Sequence, residues 1–356
     1  MFAETGKSIP LTLPSVTGWK EVLIKESGEK LVPLGPFSDN DQIFTRSIYV
    51  GEGTESPYIN HPLRGSLITM FVREGVAEQL KFAQFLLPNG MYLIVFDSYR
   101  LLEVQQSLFD KYFGDLQKKY PDWDNNQLLN ETQKFVSLPS ADPTRPSPHN
   151  TGGAVDVAVF RLPRSVDRRI KEINEKLPLL DNNDWQSAYL LEMGKIALIR
   201  EHIQMFDYGT PFDWGGPEAT LNYLERLAET RRLSLQEEIA RQNRSLLYHT
   251  MTAAGFEPYE EEWWHYNSKR AQMGAKTAGL PFAEYGAINL SAENLVHEEM
   301  RSNHRLGSIR MFGRKREEFG PADRLPKEFD VAFQAVLKTG DIRFSGLPEA
   351  AIISPS

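Results

Sequence analysis

The sequence predicts an α+β fold, with a small central, largely antiparallel sheet flanked by helices. Segments whose apolar residues recur at helical spacing alternate along the chain with short Val-rich or wholly apolar runs. Strands separated by helices in this way are typical of layered α+β proteins. With 41% hydrophobic and 11% aromatic residues, the chain of 356 residues is also rich enough in apolar side chains to bury a sizeable core.

Each predicted element follows from a local pattern. Strands are predicted where apolar runs follow turn residues or alternate in period two, at residues 21–24, 91–96, 154–160 and 256–267. Helices are predicted where apolar residues show helical spacing, at residues 75–87, 102–119, 165–175, 185–199, 217–229 and 235–254. Ser234 is a suitable N-cap for the last helix, and Gly255 lies just past its end. Residues 137–148 contain four Pro and no periodicity, which predicts a loop.

Changes in composition divide the chain into three parts. Residues 1–45 are punctuated by Pro and Gly and are interpreted as an N-terminal extension. Residues 46–289 contain the periodic segments and are predicted to form one catalytic domain. Residues 290–356 are charged and interrupted by Gly, and are interpreted as a C-terminal extension whose two His residues lie on a solvated surface.

Charge and cysteine content exclude several classes of function. The net charge of −8 argues against a nucleic-acid partner, which would require a basic face. The absence of Cys rules out disulfides and thiol catalysis. The N-terminus shows no signal peptide, and no stretch approaches the roughly 20 apolar residues of a membrane span. A cytoplasmic protein without a membrane partner is therefore expected, and the sequence contains no indication of its oligomeric state.

Two short motifs, SPHNTGGAVD at residues 147–156 and EWWH at residues 262–265, suggest a metal site at the sheet. A catalytic zinc ion needs three protein ligands of the His and Asp/Glu type, an open position for water, and a base that accepts the proton of that water. His149, Asp156 and His265 are suitable ligands, and Glu262 is a suitable base. The motifs therefore predict a zinc hydrolase with one ion per chain.

The residues around these motifs strengthen that interpretation, because His–Asp pairs at this spacing also arise by chance in a chain with 7 His and 48 acidic residues. Gly152 and Gly153 give the backbone the freedom to turn around an ion. Asp156 stands in a Val-rich strand, where a charge is costly unless it is paired or bound to metal. Packing alone poorly explains two adjacent Trp residues flanked by Glu and His.

The two motifs together resemble the VanX-type D-alanyl-D-alanine dipeptidases of the M15 group of zinc peptidases. The family pattern is Ser-x-His, a Gly-containing turn and Asp, followed much later by Glu-Trp-Trp-His. The segments FDSYR at 96–100, YGTPFD at 208–213 and NRSLLYHTMTAAGF at 243–256 are also similar to family segments. The resemblance covers roughly residues 92–267 and implies a dipeptide substrate.

The resemblance implies further roles within the site. It implies that Ser147 contacts the carboxylate of the dipeptide and that Asp213 pairs with its free ammonium. Arg100, which ends an apolar strand, is the candidate to stabilise the tetrahedral intermediate. A surface salt bridge for Arg100 and a turn-capping role for Asp213 are the structural alternatives.

The identity of the base depends on the backbone before His265. Residues three apart in a regular strand face opposite sides, so we expect Glu262 to lie on the turn into the strand, with the strand beginning near Trp263. Glu261 is an alternative base that the local sequence does not exclude, and only the family resemblance favours Glu262.

The functional prediction is hydrolysis of D-Ala-D-Ala, or a closely related dipeptide, into free amino acids. A D,D-carboxypeptidase or murein peptidase that acts on longer peptides is the alternative within the same class, and the missing signal peptide argues against it. A non-catalytic zinc-containing binding module is the alternative from another class, but Glu262 and Arg100 are both present.

Overall fold

A computed structural model describes residues 7–290, with the exception of residues 37, 39, 52–55, 68, 141 and 182–183. Apart from Leu290, the predicted C-terminal extension therefore lies outside the described residues. Across the described part of the chain, no helix has both the length and the apolar character needed to span a membrane.

Eight helices are present in the described residues: α1 (Glu74–Leu86), α2 (Leu102–Lys119), α3 (Asn125–Phe135), α4 (Arg164–Lys176), α5 (Trp185–His202), α6 (Tyr223–Thr230), α7 (Leu235–Ala253) and α8 (Gln272–Thr277). The predicted caps of α7 are confirmed, because Ser234 accepts a hydrogen bond from the Glu237 amide and Gly255 adopts a left-handed φ of 90°. Helix α3 was not predicted, although Asp124 and Gln127 form a capping box at its start.

Ten strands are present in the same residues: β1 (Leu23–Ile24), β2 (Leu31–Leu34), β3 (Phe44–Thr45), β4 (Met70–Arg73), β5 (Met91–Asp97), β6 (Ala154–Arg161), β7 (Gln204–Met205), β8 (Phe256–Pro258), β9 (His265–Ser268) and β10 (Phe282–Ala283). The main sheet has the order β3-β5-β6-β9-β8, with β7 also paired to β6. Every pairing in this sheet except β3–β5 is antiparallel, so the predicted fold class is confirmed.

The register of the sheet places three polar residues in one row. Asp156 on β6 lies opposite Asp97 on β5 and opposite His265 on β9. Directly opposite residues of antiparallel strands point to the same face and lie about 4.5–5.5 Å apart at Cβ. Because β6 is buried along its whole length except at Arg161, this row lies inside the protein.

The strand predicted at residues 256–267 is wrong in one respect, since the segment forms two strands rather than one. Strand β8 ends at Pro258, a turn follows, and β9 begins at His265, two residues later than expected. Glu262 lies on that turn, as predicted, and its carbonyl accepts a hydrogen bond from the His265 amide at 3.2 Å.

Three strands from the first 45 residues pair with strands of the remaining chain, and one of them, β3, joins the main sheet beside β5. Strand β1 runs parallel to β10, and β2 runs antiparallel to β4. Glu26 and Glu29 then bind Arg73 and Arg270, at 3.0 Å and 2.6 Å respectively. The N-terminal segment is therefore joined to the body both by backbone pairing and by ion pairs.

Candidate metal centre

Three side chains that could hold a metal meet at the polar row of the sheet. His149, Asp156 and His265 are all buried, and one ligand atom from each lies within 4.8 Å of the others. His265 Nδ1 lies 2.9 Å from Asp156 Oδ1, and His149 Nε2 lies 3.2 Å from His265 Nδ1 and 3.5 Å from Asp156 Oδ1. Ligands bound about 2.0–2.2 Å from a tetrahedral zinc ion are roughly 3.3–3.6 Å apart, so the spacing fits one ion.

The hydrogen bonds on the far side of each imidazole determine which ring nitrogen carries the proton. His149 Nδ1 donates to the Ser98 carbonyl at 2.8 Å, because a carbonyl oxygen can only accept. His265 Nε2 donates to Asn267 Oδ1 at 3.3 Å. The two facing nitrogens are therefore lone-pair acceptors beside a carboxylate oxygen, an arrangement that a bound cation stabilises.

The electrostatics of the cluster also favour a positive charge. Burial lowers the pKa of His149, but the carboxylates of Asp156 and Asp97 outweigh burial and raise this pKa above its usual value. Burial alone would raise the pKa of Asp156, yet the two His side chains bring it well below its usual range. Asp156 is thus an ionised carboxylate in the interior, as a metal ligand must be.

His149 is positioned by a tight turn directly before β6. The 3-10 helix Pro148–Thr151 carries it, and Gly152 ends this helix with a left-handed φ of 70°. A Cβ atom on Gly152 would lie 2.7 Å from a methyl carbon of Leu31, so glycine is required both for conformation and for space. The predicted role of this glycine in the turn is confirmed.

Glu262 lies beside the three ligands at the entrance of the cluster. Its Oε2 atom is 3.8 Å from His265 Nδ1, and its side chain lines the pocket, whereas Glu261 is exposed. Burial raises the pKa of Glu262 to about 8. The negative charges of Asp156 and Asp213 act in the same direction, and His265 acts against them. This placement favours Glu262 over Glu261 as the group that exchanges a proton with a metal-bound molecule.

The two Trp residues of the EWWH motif have different environments. Trp263 stacks on Tyr208 with ring centroids 4.0 Å apart, and its Nε1 donates to Thr210 Oγ1 at 2.9 Å. Trp264 packs against Phe212 and lines the pocket. One Trp therefore anchors the turn in the core, and the other forms a wall beside the ligands.

Arg100 is buried and lines the same pocket. Its guanidinium donates to Asp97, to Gln105 Oε1 at 2.8 Å and to the Tyr49 hydroxyl at 2.7 Å. Burial would lower its pKa, but Asp97 raises it, so the side chain remains charged. The alternative of a surface salt bridge is wrong, because both partners of the ion pair lie in the interior.

Ser147 and Asp213, the two residues assigned to the ends of a substrate, both line the pocket. The Ser147 hydroxyl donates to Asn150 Oδ1 at 2.8 Å. Asp213 accepts a hydrogen bond from the Tyr58 hydroxyl and has a left-handed φ of 62°, unique among the non-glycine residues described. Asp213 is exposed as a whole residue, yet the protein atoms crowded around its carboxylate raise its pKa.

The pocket that these residues surround is small. Its volume is about 210 Å³, below the roughly 300–1,000 Å³ of pockets that hold drug-sized ligands. Its walls carry carboxylates, imidazoles and a guanidinium, and Leu108, Val136 and Trp264 supply apolar surface. The site suits a small, charged molecule.

Several residues of the site were not identified from the sequence, and Asp97 is the most important of them. Its carboxylate lies 3.2 Å from His149 Nδ1 and also pairs with Arg100, so it links a ligand to the guanidinium. Two signals were available, its position at the end of a buried strand and its place in the FDSYR segment three residues before Arg100. Tyr49, Tyr58 and Gln105 are polar contacts for which no comparable signal exists.

Replacing Asp97 by Asn is expected to weaken zinc binding about 10- to 100-fold, because carboxylates that orient metal-bound His contribute at this level. The zinc dissociation constant, measured by competition with a chromophoric chelator, checks this. Asp115→Asn is a matched control, since Asp115 is an exposed acid paired with Lys111.

Loss of Asp97 also leaves Arg100 without its buried partner, which typically costs about 3–5 kcal/mol. Thermal unfolding of the apoprotein therefore has to accompany the zinc titration. A folded Asp97→Asn protein with the zinc affinity of the unchanged protein would contradict the assigned role.

Comparison with known proteins gives two matches. The M15 peptidase family model, described as D-ala-D-ala dipeptidase, matches residues 195–281. This range includes Asp213, Glu262 and His265, whereas His149 and Asp156 precede it. A D-alanyl-D-alanine dipeptidase of Synechocystis sp. is 26% identical to this chain over 215 residues, covering 55% of this chain and 68% of that relative.

Proposed function

We propose that this chain hydrolyses D-Ala-D-Ala or a closely related dipeptide with one zinc ion, because it belongs to the D-Ala-D-Ala dipeptidase family of metallopeptidases. The observation that carries this proposal is the buried cluster of His149, Asp156 and His265 with Glu262 beside it. Two imidazole nitrogens and one carboxylate oxygen are a donor set typical of catalytic zinc, which leaves one coordination position open.

Zinc in this site supplies a Lewis acid that polarises the peptide carbonyl and lowers the pKa of water. Glu262 then accepts a proton from the attacking water and delivers it to the leaving amine. A zinc ion held by His149, Asp156 and His265 would add positive charge beside Glu262 and would favour its ionised carboxylate, the form that can accept that proton.

Arg100 is proposed to donate a hydrogen bond to the oxyanion that develops on the substrate. Its partner Asp97 keeps the guanidinium charged and holds it in place before the substrate binds, so little reorganisation is needed. Loss of a donor of this kind typically lowers the rate about 10²- to 10³-fold.

The two charged ends of a dipeptide are proposed to meet Ser147 and Asp213. A pocket that pairs both ends selects for length, because a longer peptide would leave a polar group of the site without its partner. The small pocket volume of about 210 Å³ supports a dipeptide over the longer substrates of a D,D-carboxypeptidase or murein peptidase. An intact site with base and arginine supports an enzyme over a binding module.

The direct test is to incubate the zinc-loaded protein with D-Ala-D-Ala, L-Ala-L-Ala and an N-capped tripeptide, and to follow the release of free alanine. We expect hydrolysis of D-Ala-D-Ala only. The apoprotein serves as the control for metal-independent background. Cleavage of the capped tripeptide at a comparable rate would assign the protein to the carboxypeptidases instead.

Acetylating the amino group of D-Ala-D-Ala is expected to lower kcat/KM by about one to two powers of ten, because Asp213 then loses its ionic partner. Asp213→Asn should reduce this preference for a free amine. Equal kcat/KM for the acetylated and free dipeptides would contradict the assignment of Asp213.

We also propose that residues 46–289 are the catalytic domain and that residues 1–45 are an extension of it. The pairing of β2 with β4 supports an extension that packs on this domain instead of folding separately.

A further inference from the structure

The N-terminal extension contributes two side chains to the wall of the active-site pocket. Trp19 and Lys20 lie on the 3-10 helix Trp19–Glu21 and line the same pocket as Ser147, His149 and Glu262. The motifs that carry the resemblance to the dipeptidases begin near residue 92, so these two residues belong to none of them.

Hydrogen bonds hold this segment against the loop that leads to Ser147. Gln272 is buried, and its Nε2 donates both to the Val22 carbonyl at 2.7 Å and to the Thr144 carbonyl at 3.0 Å. The Gln272 side chain therefore connects Val22, which follows Lys20 by two positions, to Thr144, which precedes Ser147 by three. Gly18, with a left-handed φ of 74°, starts the 3-10 helix.

Lys20 has a half-buried ammonium without a carboxylate partner among the described residues. Its Nζ atom lies over the ring of Trp19, 5.2 Å from the centroid. Burial, and then the charge of Arg145, lowers the pKa of Lys20. A cation that is partly desolvated and repelled by a neighbouring cation is stabilised when an anion binds beside it.

We propose that Lys20 is a specificity-determining residue that pairs with the free carboxylate at the C-terminal end of the substrate. This inference rests on the proposed function, since a dipeptide has one free carboxylate and one free ammonium. Gln272 holds the segment that carries Lys20 against the loop that leads to Ser147, whereas Asp213 accepts its hydrogen bond from the Tyr58 hydroxyl. Lys20 thus belongs to the side of the pocket assigned to the carboxylate.

The test compares D-Ala-D-Ala with its C-terminal amide, which removes the carboxylate and leaves the scissile bond. Lys20→Met is expected to raise KM for D-Ala-D-Ala about 10- to 100-fold with little change in kcat, because binding at a remote group contributes equally to ground and transition states. The same variant should leave KM for the amide unchanged. Lys20→Arg should restore most of the discrimination between the two substrates.

Lys25→Met is the matched control, since Lys25 lies on the same segment, is exposed and contacts the Phe282 ring instead of the pocket. It should behave as the unchanged protein with both substrates. If Lys20→Met lost activity equally toward the acid and the amide, the inference would be overturned. Equal loss indicates a general structural effect, because such an effect does not depend on whether the substrate carries the carboxylate.

Binding separates this inference from the proposed function. Calorimetric titration of both ligands into zinc-loaded Glu262→Gln protein, with and without Lys20→Met, measures carboxylate recognition without turnover. A preference for the acid that disappears in Lys20→Met supports the role of Lys20, whether or not the unchanged protein hydrolyses either ligand. Failure of the unchanged protein to hydrolyse either ligand would refute the proposed function but not the role of Lys20. Equal affinity of the acid and the amide before substitution would overturn the inference.

Discussion

Replacing His265 by Ala is expected to remove the metal and abolish dipeptide hydrolysis. The change removes one of three ligand atoms and leaves Asp156 Oδ1 without its contact at 2.9 Å. Loss of a direct ligand weakens metal binding by more than the about 10- to 100-fold that follows loss of an outer partner. Metal analysis after dialysis should give one zinc per chain for the unchanged protein and almost none for the variant.

His61→Ala is the appropriate control, because His61 is exposed and outside the pocket. It should retain both zinc and activity. If His265→Ala keeps a full equivalent of zinc in a folded protein, the ligand set is wrong.

Replacing Glu262 by Gln is expected to lower the turnover rate more than any other substitution that leaves zinc in place. The amide is the same size as the carboxylate but cannot accept the proton of the attacking water, and loss of a positioned base costs about 10²- to 10⁴-fold in rate. Zinc content and thermal unfolding should stay near the values of the unchanged protein, since Glu262 is not among the three ligands. Kinetics at saturating D-Ala-D-Ala measure the loss.

Glu261→Gln is the natural comparison, as the neighbouring acid is exposed and does not line the pocket. Its activity should change little. An inactive Glu261 variant beside an active Glu262 variant would reverse the assignment of the base.

The location of Glu262 could be predicted from spacing alone, although the strand boundary could not. Side chains three apart cannot share a face of a regular strand, so Glu262 had to lie on a turn if it accompanied His265. The turn extends through Trp264 because Trp263 donates its amide to the Ala219 carbonyl at 3.0 Å and stacks on Tyr208. These partners lie far away in the chain, and local residue patterns contain no information about them.

Asp97 and Lys20 illustrate a different limit of sequence reasoning. Asp97 lies in the FDSYR segment without a predicted role and Lys20 lies in no motif, and each gains its role from a neighbour more than fifty positions away. Asp97 is significant because β5 lies beside β6, and Lys20 because Gln272 holds its segment on the Ser147 loop. A charged residue in a sequence has many possible partners, and only packing selects among them.

The sequence by itself determined the type of fold and pointed to the side chains that meet in the candidate site. Two His-containing motifs, a turn glycine at 152 and an acid three residues before the last His were sufficient to predict a set of candidate metal donors, because ligand type and local backbone geometry are local properties. The helices α2 and α7 likewise follow from local periodicity and capping.

The tertiary structure alone decided how these groups meet. The pairing of β5, β6 and β9 sets Asp97, Asp156 and His265 in one row, and a shift of one residue in either pairing would turn side chains to the opposite face. That register depends on burying both faces of β6 and on contacts across more than a hundred residues of chain. Such contacts are a property of the packed molecule, which is why the row of ligands and the N-terminal wall of the pocket emerged only from the structure.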